Sequence, residues 1–224
     1  KNIDSIYESI KKQYPERQEQ KKSEIRIERK EGKESVKLLS AKINGYRYVY
    51  DDKKQIVQTR LDGFTLSRLQ PYIKWEQLRD EAQRLWRFYA EITSPESITR
   101  VAVRYINNLK IPMPIKDFGD FLTAPPIVPE GLPQGVSSFL SRIVINEPSI
   151  DANAIITQAL EAIEAIIDTK VKVLPVILDI DVFKQKQKQS FEEHEIWETL
   201  EKLRHFKNEI FFKSITDKLK EMYK

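Results

Sequence analysis

Two strand-like segments each place charged residues of one kind on a single face. Arg100 and Arg104 share a face of one segment, because alternate residues of a strand point the same way. Asp179 and Asp181 share a face of another segment for the same reason. Neighbouring guanidinium groups can bind a carboxylate or a phosphate, and paired aspartates can hold Mg²⁺ in nucleotidyl-transferring enzymes.

These two pairs also have a structural interpretation, in which the arginines bond the aspartates across a sheet as a ladder of salt bridges. A magnesium site usually adds a third carboxylate, which Glu147 or Asp151 can supply, and a glycine-rich phosphate loop. The sequence has no glycine-rich loop. We therefore favour cross-strand pairing over metal-dependent catalysis, and we predict neither a bound metal nor another cofactor.

Lys207 is a further candidate, because it lies next to the apolar side of a predicted C-terminal helix. Its amine must reach the solvent or find a buried acceptor, and a structural role is favoured over a catalytic one. The two histidines, His194 and His205, lie about 16 Å apart along that helix and cannot share one metal. The absence of cysteine excludes disulfides, thiol nucleophiles and cysteine-ligated zinc.

Hydrophobic spacing predicts the elements that must position these groups. Apolar residues recurring every three or four positions predict helices over 3–14, 74–92 and 191–223. Ser190 and Glu193 form a capping-box pattern at the start of the last helix. Alternating β-branched and aromatic residues predict the strands, which are 24–30, 36–43, 46–50, 56–61, 64–69, 98–111, 138–146 and 171–183.

Three stretches have a turn-like, mixed or proline-rich composition. Asn44-Gly45 is typical of a two-residue hairpin turn between strands. The segment 154–167 has a helical composition but lies between two predicted strands, so either structure is open for it. Residues 112–136 collect six prolines and three glycines around one short helical turn near 117–122. Such a long excursion is typical of a segment wrapped on the surface or of a functional lid.

Together the elements predict an α+β fold, with helices on one face of a large antiparallel sheet. The order of elements is similar in residues 1–95 and 96–224, the second of which contains the proline-rich excursion and the long C-terminal helix. This similarity predicts two α+β halves and a pseudo-duplication of a β-α-(β)n-α unit. Because the chain opens directly in a helix-like segment, we expect a strand or leader ahead of residue 1.

The charge is unevenly distributed along the chain. Residues 1–72 carry 17 Lys and Arg against 11 Asp and Glu, whereas the remainder carries 21 against 23. A basic region can bind nucleic acid, but the alternation of Glu with basic residues over 24–30 favours a solvated strand face. No apolar stretch approaches the roughly 20 residues that span a bilayer. We expect a soluble, cytoplasmic protein that does not bind membranes.

Four groups of residues, in this order, resemble a sporadically distributed prokaryotic family of unknown function; they are 62–75, 100–107, 178–183 and 207–216. The resemblance covers nearly the whole chain. It implies no catalytic residues, and the scattered occurrence of the family implies a defence or mobile-element context. Arg68, in the first group, joins the candidate binding residues.

The function favoured by the sequence is a non-enzymatic protein-interaction module that binds a protein partner or itself. The proline-rich excursion and a sheet face are the candidate surfaces. One alternative is a nucleic-acid-binding protein that uses the basic first third of the chain. Others are a metal-dependent enzyme that uses Asp179 and Asp181, and a ligand cavity beneath the helices.

Overall fold

The computed structural model describes residues 3–30, 33–72, 74–160, 173–187 and 189–223, and for residues 23–41 it describes the backbone alone. The chain divides into two compact units, Lys1–Glu96 and Ser97–Lys224. Each unit contains one four-stranded antiparallel sheet. The predicted α+β fold with antiparallel strand pairing is therefore confirmed, and the strands form two four-stranded sheets where the sequence predicted one large sheet.

The first unit is a meander of four strands between two helical segments. A 3-10 turn (Ile3–Ser5) leads into α1 (Ile6–Ile10), and α2 (Trp75–Thr93) follows the last strand. The strands pair in chain order, and they are β1 (Glu16–Lys30), β2 (Lys33–Val49), β3 (Gln55–Arg60) and β4 (Gly63–Arg68). Because β3 pairs only with Gly45–Val49 of β2, the β1–β2 hairpin continues past the sheet as a two-stranded arm.

The helices of this unit share one hydrophobic core with the sheet, made of Ile3, Ile6, Ile10, Tyr14, Tyr48, Val57, Leu85 and Tyr89. Tyr14 is fully buried, so its hydroxyl needs partners. It donates to Glu81 Oε1 at 2.8 Å and accepts from Gln55 Nε2 at 2.6 Å. Burial raises the pKa of Tyr14, so the hydroxyl stays protonated.

The second unit has a different strand order. Its strands are β5 (Arg100–Pro112), β6 (Phe139–Glu147), β7 (Ala152–Leu160) and β8 (Val173–Gln185). They are arranged β5-β8-β7-β6, so the last three form a meander and the first pairs with the last. Within this sheet β5 and β6 are therefore the two edges.

Two helices end the second unit. The first, α3 (Glu193–Ser214), packs on β5 and β8, and α4 (Asp217–Glu221) follows it. A 3-10 turn (Phe118–Asp120) lies in the excursion between β5 and β6. In this excursion Phe121 and Leu122 are buried, whereas Ile127 is 90% exposed.

Three sequence predictions are wrong in detail. Asn44-Gly45 is not a hairpin turn, because β2 runs through it and the register with β1 shifts by one residue there. The capping box at α3 is formed by Glu192 and Glu195, whereas the Ser190 hydroxyl accepts the backbone N–H of Ile98. The single predicted helix over 191–223 is interrupted at Ile215, which is extended and forms a β-bridge with Leu122.

The remaining elements agree with the prediction more closely. The segment left open between helix and strand is a strand as far as Leu160. Its continuation over 161–167, and residues 171–172 of the strand predicted next, lie outside the described residues. A meander is followed by a long helix in both units, with four strands in the first meander and three in the second. The pseudo-duplication stays a prediction.

The contact between β2 and β3 gives a test of the first unit. A Cβ atom on Gly45 would lie 2.2 Å from the carbonyl oxygen of Thr59 and 2.7 Å from Cα of Arg60. Both are backbone atoms, so Gly45→Ala must push the strands apart. We expect a loss of about 2–4 kcal/mol in the free energy of unfolding, measured by urea denaturation.

The matched control is Gly135→Ala, because no atom lies within 4 Å of the added Cβ. It should change stability by less than about 0.5 kcal/mol. Equal stability of the two variants would contradict the close approach of β2 to β3.

Candidate functional site

The sheet of the second unit has one buried face and one open face. Along β8 the even-numbered residues from Leu174 to Val182 are buried, whereas the odd-numbered residues between them are partly exposed. The strand β7 repeats this alternation from Ala152 to Leu160. Because α3 packs on β5 and β8, the helix lies on the buried face and the other face is open.

Arginine and aspartate side chains form a ladder across the open face. Arg104 donates to both carboxylate oxygens of Asp179, at 2.9 and 2.5 Å. Arg100 donates to both oxygens of Asp181, at 3.1 and 3.3 Å, and its guanidinium lies 4.6 Å from the ring centroid of Phe183. In the register Arg104 is opposite Asp181, so its bond to Asp179 is diagonal.

In this pairing each arginine neutralises the charge of one aspartate. Arg104 uses two nitrogens, Nε and Nη2, against the two oxygens of Asp179, whereas Arg100 uses Nη2 alone for both oxygens of Asp181. The bond to Asp179 raises the pKa of Arg104. The arginines remain substantially exposed, at 44% for Arg100 and 56% for Arg104, so each pair adds little stability. The ladder gives the open face alternating charges of both signs.

The carboxylates proposed for a metal site each bond another group of the chain. Glu147 accepts the backbone N–H of Ser149 at 3.1 Å, and Asp151 pairs with Lys184 at 3.3 Å. Within the part of the chain that the structure describes, no three His, Asp or Glu residues form a group that can hold a metal ion.

Lys207 lies on the opposite side of the sheet from the ladder. It is only 8% exposed, and its Nζ lies 3.5 Å from the ring centroid of Tyr105 on β5. The amine donates to Asn208 Oδ1 at 2.6 Å. Burial, with a smaller effect from the positive charge of Arg204, lowers the pKa of Lys207 to about 8. The sequence predicted that a buried Lys207 amine would need an acceptor. In the structure its neighbours are the amide oxygen of Asn208 and the ring of Tyr105.

The remaining candidate residues do not join either group. Arg68, in the first unit, donates to Asp52 Oδ2 at 2.9 Å and so fixes the turn between β2 and β3. His194 and His205 are exposed on α3. The structure thus brings together four of the six candidate binding residues, the two arginines and two aspartates of the ladder.

A cleft of about 260 Å³ lies between the β6–β7 turn and α3, where Lys184, Thr199 and Lys202 are among its lining residues. This volume is below the roughly 300–1,000 Å³ of typical small-molecule sites. Lys184 already bonds Asp151 and the carbonyl of Ile150. The cleft is therefore small, and one of its two lysines is already paired.

The most unusual surface of the second unit is the edge strand β6. Both of its faces carry exposed apolar side chains, since alternate residues point opposite ways. On the open face Leu140 is 74% and Val144 57% exposed, and on the other face Ile143 is 51% and Ile145 36% exposed. β7 is the one strand paired with β6 in the sheet as described.

The two edges of this sheet differ in a way that bears on binding. On β5 the exposed residues include Arg100, Arg104 and Lys110, and charges of this kind discourage pairing with another strand. The backbone N–H of Lys110 is also bonded to the hydroxyl of Tyr223 at 2.9 Å. On β6 the exposed Arg142 is followed by three uncharged residues, Ile143, Val144 and Ile145.

Sequence reasoning predicts a strand over 138–146 but misses its importance. Alternation alone cannot distinguish an edge strand from a central one. The available signal was the Ile-Val-Ile run, which has no polar residue to mark a solvent face. That pattern fits a strand buried on both faces, whereas β6 is exposed on both.

The β1–β2 arm contains part of the basic first third. Residues 21–43 carry eight Lys and Arg against four Asp and Glu. Residues 25–30 and 33–38 pair only with each other in the described sheet. Nucleic-acid binding by this arm stays a prediction.

The buried amine of Lys207 gives a pH-dependent test. An unfolded lysine titrates near pH 10.4, so between about pH 8 and 10.4 the unfolded chain binds more protons and stability rises with pH. Lys207→Met removes the charge, and at pH 7 we expect a gain of about 1–3 kcal/mol in urea unfolding. The gain should shrink as the pH rises through this range.

Lys213→Met is the matched control, because Lys213 is exposed and its pKa is raised by a bond to Glu209. We expect no gain from this variant. If the difference in unfolding free energy between Lys207→Met and the wild type does not vary between pH 7 and pH 10, the burial of a charged amine is refuted.

None of the helices in the described ranges combines the length and apolar character that a membrane-spanning helix needs. Comparisons of the chain with protein-family models, with curated proteins and with solved structures find no match. The family resemblance inferred from the motifs therefore stays a prediction.

Proposed function

We propose that this chain is a non-enzymatic protein-interaction module that binds a protein strand at the β6 edge of its second sheet. The observation that carries the proposal is the exposure of Ile143, Val144 and Ile145 on both faces of β6, a strand that has one sheet neighbour among the described residues. An edge strand also presents backbone N–H and C=O groups that can pair with another strand.

The contacts of the candidate residues Asp179, Asp181 and Lys207 favour a binding function over a catalytic one. The aspartates that a metal-dependent enzyme would need each bond an arginine. The buried amine of Lys207 lies against an aromatic ring on the covered side of the sheet. Neither arrangement offers a nucleophile or base beside a ligand-sized cavity, as catalysis requires.

The open face next to β6 can extend the bound surface. Its apolar members include Leu140 and Val144 on β6 and Ile106 on β5, all more than half exposed. The charged ladder lies on the same face, on β5 and β8. A partner that contacts this face meets charges of both signs, which favours orientation and specificity over affinity.

A charge at the centre of β6 tests the proposal. Val144→Lys should weaken strand addition, because lysine on an edge strand discourages pairing with another strand. We expect the wild-type chain to have a mass above the 26.4 kDa of one copy, or to retain a partner from extracts of its native host. The variant should lose at least tenfold in that association.

Ile127→Lys is the control, because Ile127 is 90% exposed in the proline-rich excursion, the other surface favoured by the sequence. It should associate as the wild type does. The proposal fails if the wild type has the mass of one copy and retains no partner, or if only Ile127→Lys loses association.

A further inference from the structure

We infer that the partner at β6 is a second copy of this chain, paired antiparallel about a two-fold axis through Val144. The inference rests on the proposed function and adds the identity and register of the partner strand. It would join the two four-stranded sheets of two second units into one eight-stranded sheet.

Symmetry limits the possible registers. Two identical antiparallel strands in one sheet are related by an axis perpendicular to the sheet, and residues directly opposite each other share a face. The axis therefore passes through a residue pair in which a position meets its own counterpart. Near the centre of β6 the choices are Arg142, Ile143 and Val144.

The register about Val144 matches apolar residues with apolar residues. Val144 lies opposite the partner's Val144, and Ile143 lies opposite the partner's Ile145 on the other face. Ile143, Val144 and Ile145, which are exposed on both faces of a single β6, are then paired in one step. Such β-branched pairs are favourable cross-strand neighbours.

The same register matches polar residues with polar residues. Arg142 lies opposite the partner's Asn146, whose amide nitrogen already donates to Ala152 O and Asn153 Oδ1 at 3.3 Å. The amide oxygen of that Asn146 can accept the guanidinium of Arg142. Ser141 lies opposite the partner's Glu147, and a hydroxyl can donate to that carboxylate.

The neighbouring registers lack this match. An axis through Ile143 places Arg142 opposite the partner's Val144 and Ser141 opposite the partner's Ile145. An axis through Arg142 places two guanidinium groups directly opposite each other, which destabilises the pair. Each β6 carries one Arg and one Glu, so two copies meet without net charge. A second copy thus satisfies β6 at one register.

The absence of cysteine makes this register directly testable. In Val144→Cys each chain carries one thiol, and the two Cα atoms would be about 4.5–5.5 Å apart. Disulfides form across about 4.4–6.8 Å. Mild oxidation of the full chain should therefore give a crosslinked dimer on a non-reducing gel, in at least tenfold greater yield than the control variant.

The control is Arg142→Cys, whose counterpart would lie four residues further along, about 13 Å away. It should not crosslink with itself, but an equal mixture with Asn146→Cys should give a mixed dimer. Circular dichroism establishes that each variant is folded before oxidation. Equal crosslinking of Arg142→Cys and Val144→Cys would overturn the register.

The possible failures separate this inference from the proposed function. If Val144→Cys is folded and stays uncrosslinked while the wild type exceeds the mass of one chain, the copies do not meet at Val144. If the wild type is monomeric but a partner is lost in Val144→Lys, self-pairing is overturned and the proposed function stands. A monomer without a partner overturns both.

Discussion

Helix α3 covers only part of the sheet in the second unit, and the exposure of each strand depends on this partial cover. Helix α3 packs on β5 and β8, and β8 is buried on that side at every second residue from Leu174 to Val182. β6, two strands away, is exposed on both faces. A sheet that is apolar at an uncovered edge leaves both hydrophobic surface and backbone hydrogen-bonding groups without a partner. The proposed function follows from that imbalance.

The charged residues are arranged in agreement with this account. On the open face each guanidinium of the ladder has its own carboxylate, so charges are balanced within the ladder. On the covered face the ammonium of Lys207 has an aromatic ring and an amide oxygen as neighbours. Burial without a carboxylate costs free energy, which the lowered pKa of Lys207 reflects. These contacts position strands and a helix, and none of them involves β6.

The spacing of apolar residues predicted most helices and strands, because burying one face of an element makes apolar residues recur at its period. The arginines and aspartates of the ladder could be assigned to one face of each strand, since side chains alternate along a strand. Their diagonal pairing depends on the register between β5 and β8, which no local pattern contains. Lys207 could be placed at the apolar boundary of α3, but its contact with Tyr105 depends on how α3 packs across β5.

The errors have tertiary causes. Asn44-Gly45 has the local preference of a turn, yet the close approach of β3 uses Gly45 as a strand residue without a side chain. The apolar stripe of the last helix continues through Ile215, yet a bridge to Leu122 from a distant segment makes that residue extended. The strand β6 was predicted, but its edge position depends on the order β5-β8-β7-β6.

Amide hydrogen exchange, followed residue by residue as a function of protein concentration, tests the central claim most directly. Strand addition at β6 would bond backbone N–H groups between Ser141 and Glu147 that face away from β7. The account predicts that these amides exchange at least tenfold more slowly at high than at low concentration, whereas those of the other edge, β5, do not change. Exchange at β6 that is independent of concentration, while β5 becomes protected, would contradict it.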